Sequence, residues 1–151
     1  MYVLKNDYIG RITMSLLDIL LAEDGITILA DVSKEAEDTI ATMAGGLYDI
    51  NPEFLRTGSN RNGYILGIAK NIALYSVYQR ADDESIPEKI IKNYDDAMAD
   101  LTKISSGKQV LNLPPKLVTP GETKAPSVEG AGIDGNGLRR IGSASKRTHH
   151  I

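Results

Sequence analysis

The sequence predicts an all-α protein: a small bundle of four to five helices with a long extended C-terminal arm. Apolar residues in the first 107 positions recur every three or four residues, the spacing of one helix face. Only Gly25–Leu29 and Gln109–Leu113 are short β candidates, and periodicity stops near Ile104, before a stretch rich in Gly, Pro and Ser. We therefore divide the chain into a helical domain, residues 1–107, and an arm, residues 108–151.

The first half of the domain contains signals for a short turn and two helices. Asn6 and Asp7 are suitable caps for a helical turn over Tyr8–Ile12, and Thr13 is a suitable cap for a helix over Met14–Ala22. One apolar stripe then predicts an amphipathic helix of about five turns. Its members are Leu29, Val32, Ala36, Ile40, Met43 and Leu47.

A third helix, over about Asn62–Ala81, follows a long loop that contains Asn51-Pro52 and Thr57–Asn60. Apolar residues cover nearly its whole circumference. This predicts the central, buried helix, either wrapped by the others or meeting a neighbouring subunit on one side. Three of its residues are interpreted as core or interface anchors: Tyr64, Tyr75 and Tyr78.

The fourth helix is bounded by signals at both ends. Ser85-Ile86-Pro87-Glu88 has the form of a capping box with proline in the first turn, and Gly107 is a typical helix end. Val110–Pro115 should be extended, because residues before proline avoid the helical region. It is expected to add to a neighbour's sheet or groove through Val110, Leu111 and Leu113.

The arm cannot build a core of its own. Its apolar burial is too small to offset an ordering entropy of roughly 1–2 kcal/mol per residue, so we expect a partner to hold it. Residues 1–107 carry 10 Lys/Arg and 17 Asp/Glu, whereas residues 108–151 carry 7 and 3. This difference in charge favours head-to-tail contact between copies, or binding of the arm to acidic protein or nucleic acid. Charged residues that simply face solvent explain the difference equally well. Arg139 and Arg140 are the arm's candidate contacts.

The sequence predicts no catalytic residue, no cofactor and no metal. There is no cysteine, and His149 and His150 are too close to the chain end to be held rigidly. Asp82-Asp83-Glu84 is interpreted as favourable charge before a helix, with a cation site as the alternative. A hydrolase using Asp82 and Asp83 would lack a nucleophile–base pair. Gly130–Gly135 has GxGxxG spacing but no preceding strand. We expect neither a signal peptide nor a membrane span, and synthesis inside the cell.

Several segments between Tyr2 and Leu113 follow one another in a characteristic order: Leu16-Leu17-Asp18, Ile40–Tyr48, Ile68–Tyr75, Tyr94–Leu101 and Ile104–Lys108. In this order and spacing the chain resembles the small all-α head–tail connector proteins, also called neck or head-completion proteins, of tailed phages and Mu-like prophages. It departs from that family at Leu47–Pro52, where an Arg-Tyr pair followed by prolines is usual. The arm beyond Pro115 has no counterpart there.

The resemblance implies a structural virion protein of the neck, assembled in the host cytoplasm. It implies a dodecameric ring of identical subunits beneath the portal protein, presenting the attachment surface for the tail or a stopper. DNA would pass through the channel without specific binding, and neither catalysis nor a membrane would be involved. The alternative is a DNA-packaging or DNA-binding accessory protein acting through the basic arm. Stacking on DNA bases is not expected, since no Phe, Tyr or Trp follows Tyr94.

Overall fold

The computed structural model describes residues 1–21, 24–81 and 86–117. This part of the chain forms α1 (Met14–Leu21), α2 (Gly25–Ala44), α3 (Asn51–Phe54), α4 (Gly63–Arg80) and α5 (Glu88–Ser105). Two 3₁₀ turns, Lys5–Tyr8 and Gly58–Asn60, complete it. These residues contain no β-strand, only an isolated antiparallel bridge between Tyr48 and Pro115. The predicted all-α bundle is confirmed, while the arm beyond Leu117 lies outside the described residues.

The central helix is α4, which packs against α1, α2 and α5. The Oδ1 atom of Asn62 caps it by accepting hydrogen bonds from the N–H groups of Tyr64 at 3.0 Å and Ile65 at 3.2 Å. Its apolar circumference is mostly covered, as predicted. The buried side chains are Ile65, Ile68, Ala69, Ile72, Ala73, Leu74, Val77 and Tyr78.

The prediction of a strand candidate over Gly25–Leu29 is wrong, because these residues form the first turn of α2. The N–H of Ile28 donates to the carbonyl oxygen of Asp24 at 3.0 Å, a helical hydrogen bond. Leu29 is buried and begins the predicted stripe, whereas Ile26 is 87% exposed. A run this short and apolar has the same local pattern in a strand and in a helix.

Two other predictions, the first turn and the loop after α2, are also corrected. The first turn covers Lys5–Tyr8 rather than Tyr8–Ile12. Asp7 lies inside this turn, and its carboxylate accepts a hydrogen bond at 2.7 Å from the N–H of Leu4, the residue before the turn. Met14–Leu21 is helical as predicted, with its first bond from Leu17 to the Thr13 carbonyl at 3.0 Å. The predicted loop after α2 contains α3 and the second 3₁₀ turn.

The fourth predicted helix is α5, and it starts later than the capping box required. Pro87 occupies the N-cap position, so Glu88 is the first helical residue and not the third; Ser85 lies outside the described residues. The predicted end at Gly107 is confirmed. This residue has φ 71°, a conformation that glycine adopts without steric cost, and it reverses the chain.

After this reversal, residues 109–117, here called the returning segment, run back onto the bundle. The N–H of Asp49 donates to the carbonyl of Pro114 at 3.0 Å, and the N–H of Lys116 donates to that of Leu47 at 2.9 Å. These bonds flank the isolated Tyr48–Pro115 bridge and do not extend it into a strand. The prediction of a strand candidate over Gln109–Leu113 is therefore also wrong. The compact unit therefore comprises Met1–Leu117.

Candidate interaction surfaces

Tyr64 is the most exposed of the three predicted anchors. It lies at the start of α4 and is 38% exposed. Its hydroxyl accepts a hydrogen bond from Nε2 of Gln109 at 2.7 Å. Partial burial, and a hydrogen bond to the Asp100 carboxylate, raise the pKa of Tyr64. The hydroxyl thus links α4, α5 and the returning segment, and part of the ring remains at the surface.

Tyr75 and Tyr78 have different environments. The ring of Tyr75 stacks on that of Tyr94 from α5, with centroids 4.2 Å apart and planes at 20°. The side chains of Tyr75 and Tyr94 are partly buried against the core. Tyr78 is 4% exposed and belongs to the core itself. Of the two interpretations open for these tyrosines, the structure gives Tyr78 the core role.

The returning segment contains the three apolar residues predicted to meet a partner. Leu111 is 6% exposed and its N–H donates to the hydroxyl of Tyr48 at 3.0 Å. Leu113 is partly buried against the same core, whereas Val110 is 82% exposed. The structure therefore places two of them on their own bundle and leaves Val110 at the surface. Arg139 and Arg140 lie outside the described residues.

The sequence did not predict the buried carboxylate that contacts the N-terminal residues. Glu53 in α3 is 1% exposed. Its Oε1 accepts hydrogen bonds from the hydroxyl of Tyr2 at 2.8 Å and from the N–H of Asn62. Its Oε2 forms an ion pair with Nη1 of Arg56 at 3.1 Å, without the alignment of a hydrogen bond. Burial, together with this carboxylate, raises the pKa of Tyr2.

A second polar contact joins the first 3₁₀ turn to the start of α4. Arg61 donates two hydrogen bonds to Asp7, at 2.6 and 2.8 Å, and one to the carbonyl of Tyr2 at 2.8 Å. The two side chains are only 8% and 14% exposed. Burial alone would raise the pKa of Asp7, but the hydrogen bonds from Arg61 and from the N–H of Leu4 lower it. Together with Glu53, this pair fixes the first residues of the chain on the bundle.

A cleft of about 310 Å³ lies where α1 meets the start of α2 and the N-terminal residues. Its apolar walls include Leu21 and Leu29, and an ion pair between Lys5 and Asp18 borders it. Two of the lining side chains are strongly exposed, Ile26 at 87% and Met1 at 57%. On the outer face of α1, Ile19 is 73% exposed. This end of the molecule therefore presents apolar surface to its surroundings.

Residues 1–21, 24–81 and 86–117 contain no group of three His, Cys, Asp or Glu placed to hold a metal. Asp82-Asp83-Glu84, Gly130–Gly135, His149 and His150 lie outside this range. None of the described helices combines the length and apolar character needed to cross a bilayer.

The fold is a small helical bundle with a fixed N-terminus and one partly apolar cleft. Residues 2–129 match the model of the family described as Bacteriophage Mu, Gp36, and the chain belongs to this family. It is therefore a phage protein, and this family suggests a structural or assembly role. The expected relation to phage proteins is confirmed at that level. No curated protein and no solved structure matches the chain.

Proposed function

We propose that this protein is a head-to-tail connector of the phage neck, which forms a ring of identical subunits between the portal and the tail or stopper. The ring encloses the channel through which DNA passes, and its role requires no catalysis. Membership of the Mu Gp36 family supports a virion or assembly role. The order of helices along the sequence supports the connector assignment.

The observation that carries this proposal is the exposed apolar surface beside the cleft. Ile26 and Met1 are large, exposed and adjacent to already buried leucines, an arrangement that is costly in water. A heterologous contact, in which this surface meets a different surface of the next subunit, covers it and generates a closed ring when the rotation closes. Each isoleucine side chain buried in this way contributes about 1.5–3 kcal/mol per subunit.

The charge of the helical domain is also consistent with a channel. Residues 1–107 have 10 basic and 17 acidic side chains, so a ring of such subunits has a negative wall. Negative walls repel the phosphate backbone and keep passing DNA from sticking. The dodecameric number follows from the resemblance alone and is part of the proposal.

The proposal is tested by electron microscopy of the negatively stained protein, alone and mixed with the portal protein. We expect rings in at least one condition, and we expect Ile26→Asp to abolish them. Leu55→Asp is the matched control, because Leu55 is 83% exposed but does not line the cleft. Monodisperse monomers in both conditions would contradict the proposal, as would normal rings in Ile26→Asp.

The alternative, a DNA-binding accessory protein, depends on basic residues of the arm that lie outside the described residues. It predicts a salt-dependent gel shift that is lost when residues 118–151 are deleted. The connector proposal predicts no such shift. The same deletion tests whether heads still acquire tails without the arm.

A further inference from the structure

Two positive side chains, those of Arg11 and Lys70, lie together where the N-terminal residues contact α4, and neither forms an ion pair with a described residue. The guanidinium of Arg11 reaches α4, where its Nη1 donates to Oδ1 of Asn71. Its Nη2 is 3.8 Å from where a Cβ of Gly67 would be. Gly67, Lys70 and Asn71 share one face of α4, since residues three and four apart are neighbours on a helix. Arg11 therefore lies beside Lys70.

Among the described residues, Asp7 is the carboxylate whose charge acts on Lys70, but its hydrogen bonds go elsewhere. Both oxygens of Asp7 are bound by Arg61, and one also accepts the N–H of Leu4. Lys70 forms no ion pair or side-chain hydrogen bond within the described part of the chain, and Arg11 bonds only a neutral amide there. Partial burial and the charges of Arg11 and Arg61 lower the pKa of Lys70, and the carboxylate of Asp7 raises it by less, so the net surroundings of Lys70 disfavour its positive charge.

Two neighbouring cations without a counter-ion destabilise the isolated fold, so an external anion would relieve their repulsion. A duplex phosphate is disfavoured as that anion, because acidic residues outnumber basic ones in the helical domain, residues 1–107, by 17 to 10. A second copy of this chain offers a better complement. Asp95 and Asp96 on α5 are adjacent and exposed, and neither forms an ion pair within the described residues.

We infer that Arg11 and Lys70 form an anion-binding site for the carboxylates of Asp95 and Asp96 from a second copy of the chain. The two patches are different surfaces, so the contact is heterologous and leads from one subunit to the next. The inference rests on the proposed ring, to which it adds a specific pair of charged patches. It also means that Lys70 destabilises the isolated monomer and stabilises the assembly.

The test is sedimentation velocity of the full chain at about 0.05 M and about 0.5 M NaCl, since exposed charge pairs are screened by salt. For the unaltered protein we expect self-association that weakens at the higher salt concentration. Lys70→Gln should weaken it by about fivefold at low salt and reduce its salt dependence. Lys108→Gln, which removes the same charge from an exposed position outside α5, is the control and should change neither the association nor its salt dependence.

A charge exchange tests the pairing itself. Arg11→Glu with Lys70→Glu should prevent association, and adding Asp95→Lys with Asp96→Lys to the same chain should restore it. Failure to restore it in a folded protein would overturn the assignment. The thermal midpoint of Lys70→Gln provides an independent readout and should equal or exceed that of the unaltered monomer, because the repulsion with Arg11 is gone.

Unchanged association of Lys70→Gln would overturn this inference and leave the connector proposal standing. Binding of duplex DNA that is lost in Lys70→Gln would also overturn it, because the anion would then be a phosphate. If the unaltered protein does not self-associate, alone or with the portal, both the inference and the proposed function fail.

Discussion

Substitution of Arg61 by alanine is expected to destabilise the fold more than any change to an exposed ion pair. The side chain makes four hydrogen bonds, to Gly58, Tyr2 and both oxygens of Asp7. It is 8% exposed, so water does not replace these bonds in the folded state. Arg61→Ala also leaves Asp7 as a mostly buried charge whose remaining hydrogen bond within the described residues comes from the N–H of Leu4, with the charge of Lys70 acting on it without a hydrogen bond.

The expected loss of unfolding free energy is about 3–5 kcal/mol, the range for breaking one partner of a buried pair. At about 4 °C per kcal/mol, the midpoint of thermal unfolding should fall by about 12–20 °C. Urea denaturation followed by circular dichroism at 25 °C measures the first quantity, and a thermal scan measures the second. Arg61→Lys should have an intermediate free energy of unfolding, because lysine keeps the charge but cannot make the bidentate hydrogen bonds to Asp7.

Lys34→Ala is the control, since Lys34 and Asp38 form an exposed i,i+4 pair with side chains 66% and 63% exposed. We expect no measurable change from it. A double-mutant cycle with Asp7→Ala should give a coupling energy of about 1–3 kcal/mol. If Arg61→Ala costs less than about 1 kcal/mol, the pair behaves as a surface contact and the reasoning from burial is refuted.

Three further results are expected. Because the pKa of Asp7 is lower in the folded protein than its ordinary value of 3.8, its contribution to stability is complete above that pH. It should be lost as the pH falls through the folded pKa; acid titrations in which Asp7→Asn loses stability as steeply as the unaltered protein would contradict this. Tyr8→Phe should leave the free energy of unfolding unchanged or raise it by about 1 kcal/mol, because the buried hydroxyl has no hydrogen-bond partner in the described part of the chain. A clear loss in urea denaturation would show that this hydroxyl is satisfied. Leu111→Ala should cost about 2–3 kcal/mol and make the returning segment sensitive to trypsin at Lys108 and Lys116, and an unchanged digestion pattern would argue against its docking.

The helices were predictable where their signals are local. Asn62 and Gly107 mark the beginning of α4 and the end of α5 through their own side-chain and backbone chemistry, without help from distant residues. The apolar circumference of α4 likewise predicted its central position. At Gly25–Leu29 the local pattern fitted both a strand and a helix, and packing of Leu29 with the rest of the α2 stripe selected the helix.

The polar contacts of the N-terminus were not predictable from spacing. Tyr2 and Glu53 are 51 positions apart, and Arg61 and Asp7 are 54 positions apart. Such partners meet only because the tertiary fold places α3 and the residues before α4 against the first residues of the chain. Glu53 has the sequence context of an ordinary acidic residue in a first helical turn, so nothing local marks it as buried. Leu111 was expected to contact a neighbouring chain, and nothing in its local sequence shows that its own bundle covers it.

The central position of α4 has a consequence for the motions available to the molecule. Its amide hydrogens should exchange with deuterium only when the whole bundle unfolds, because three helices cover it. The returning segment, held by a few backbone bonds, should exchange sooner through local opening. No partner can reach the buried face of α4 by a small rearrangement, so association should proceed between preformed surfaces, close to rigid-body docking.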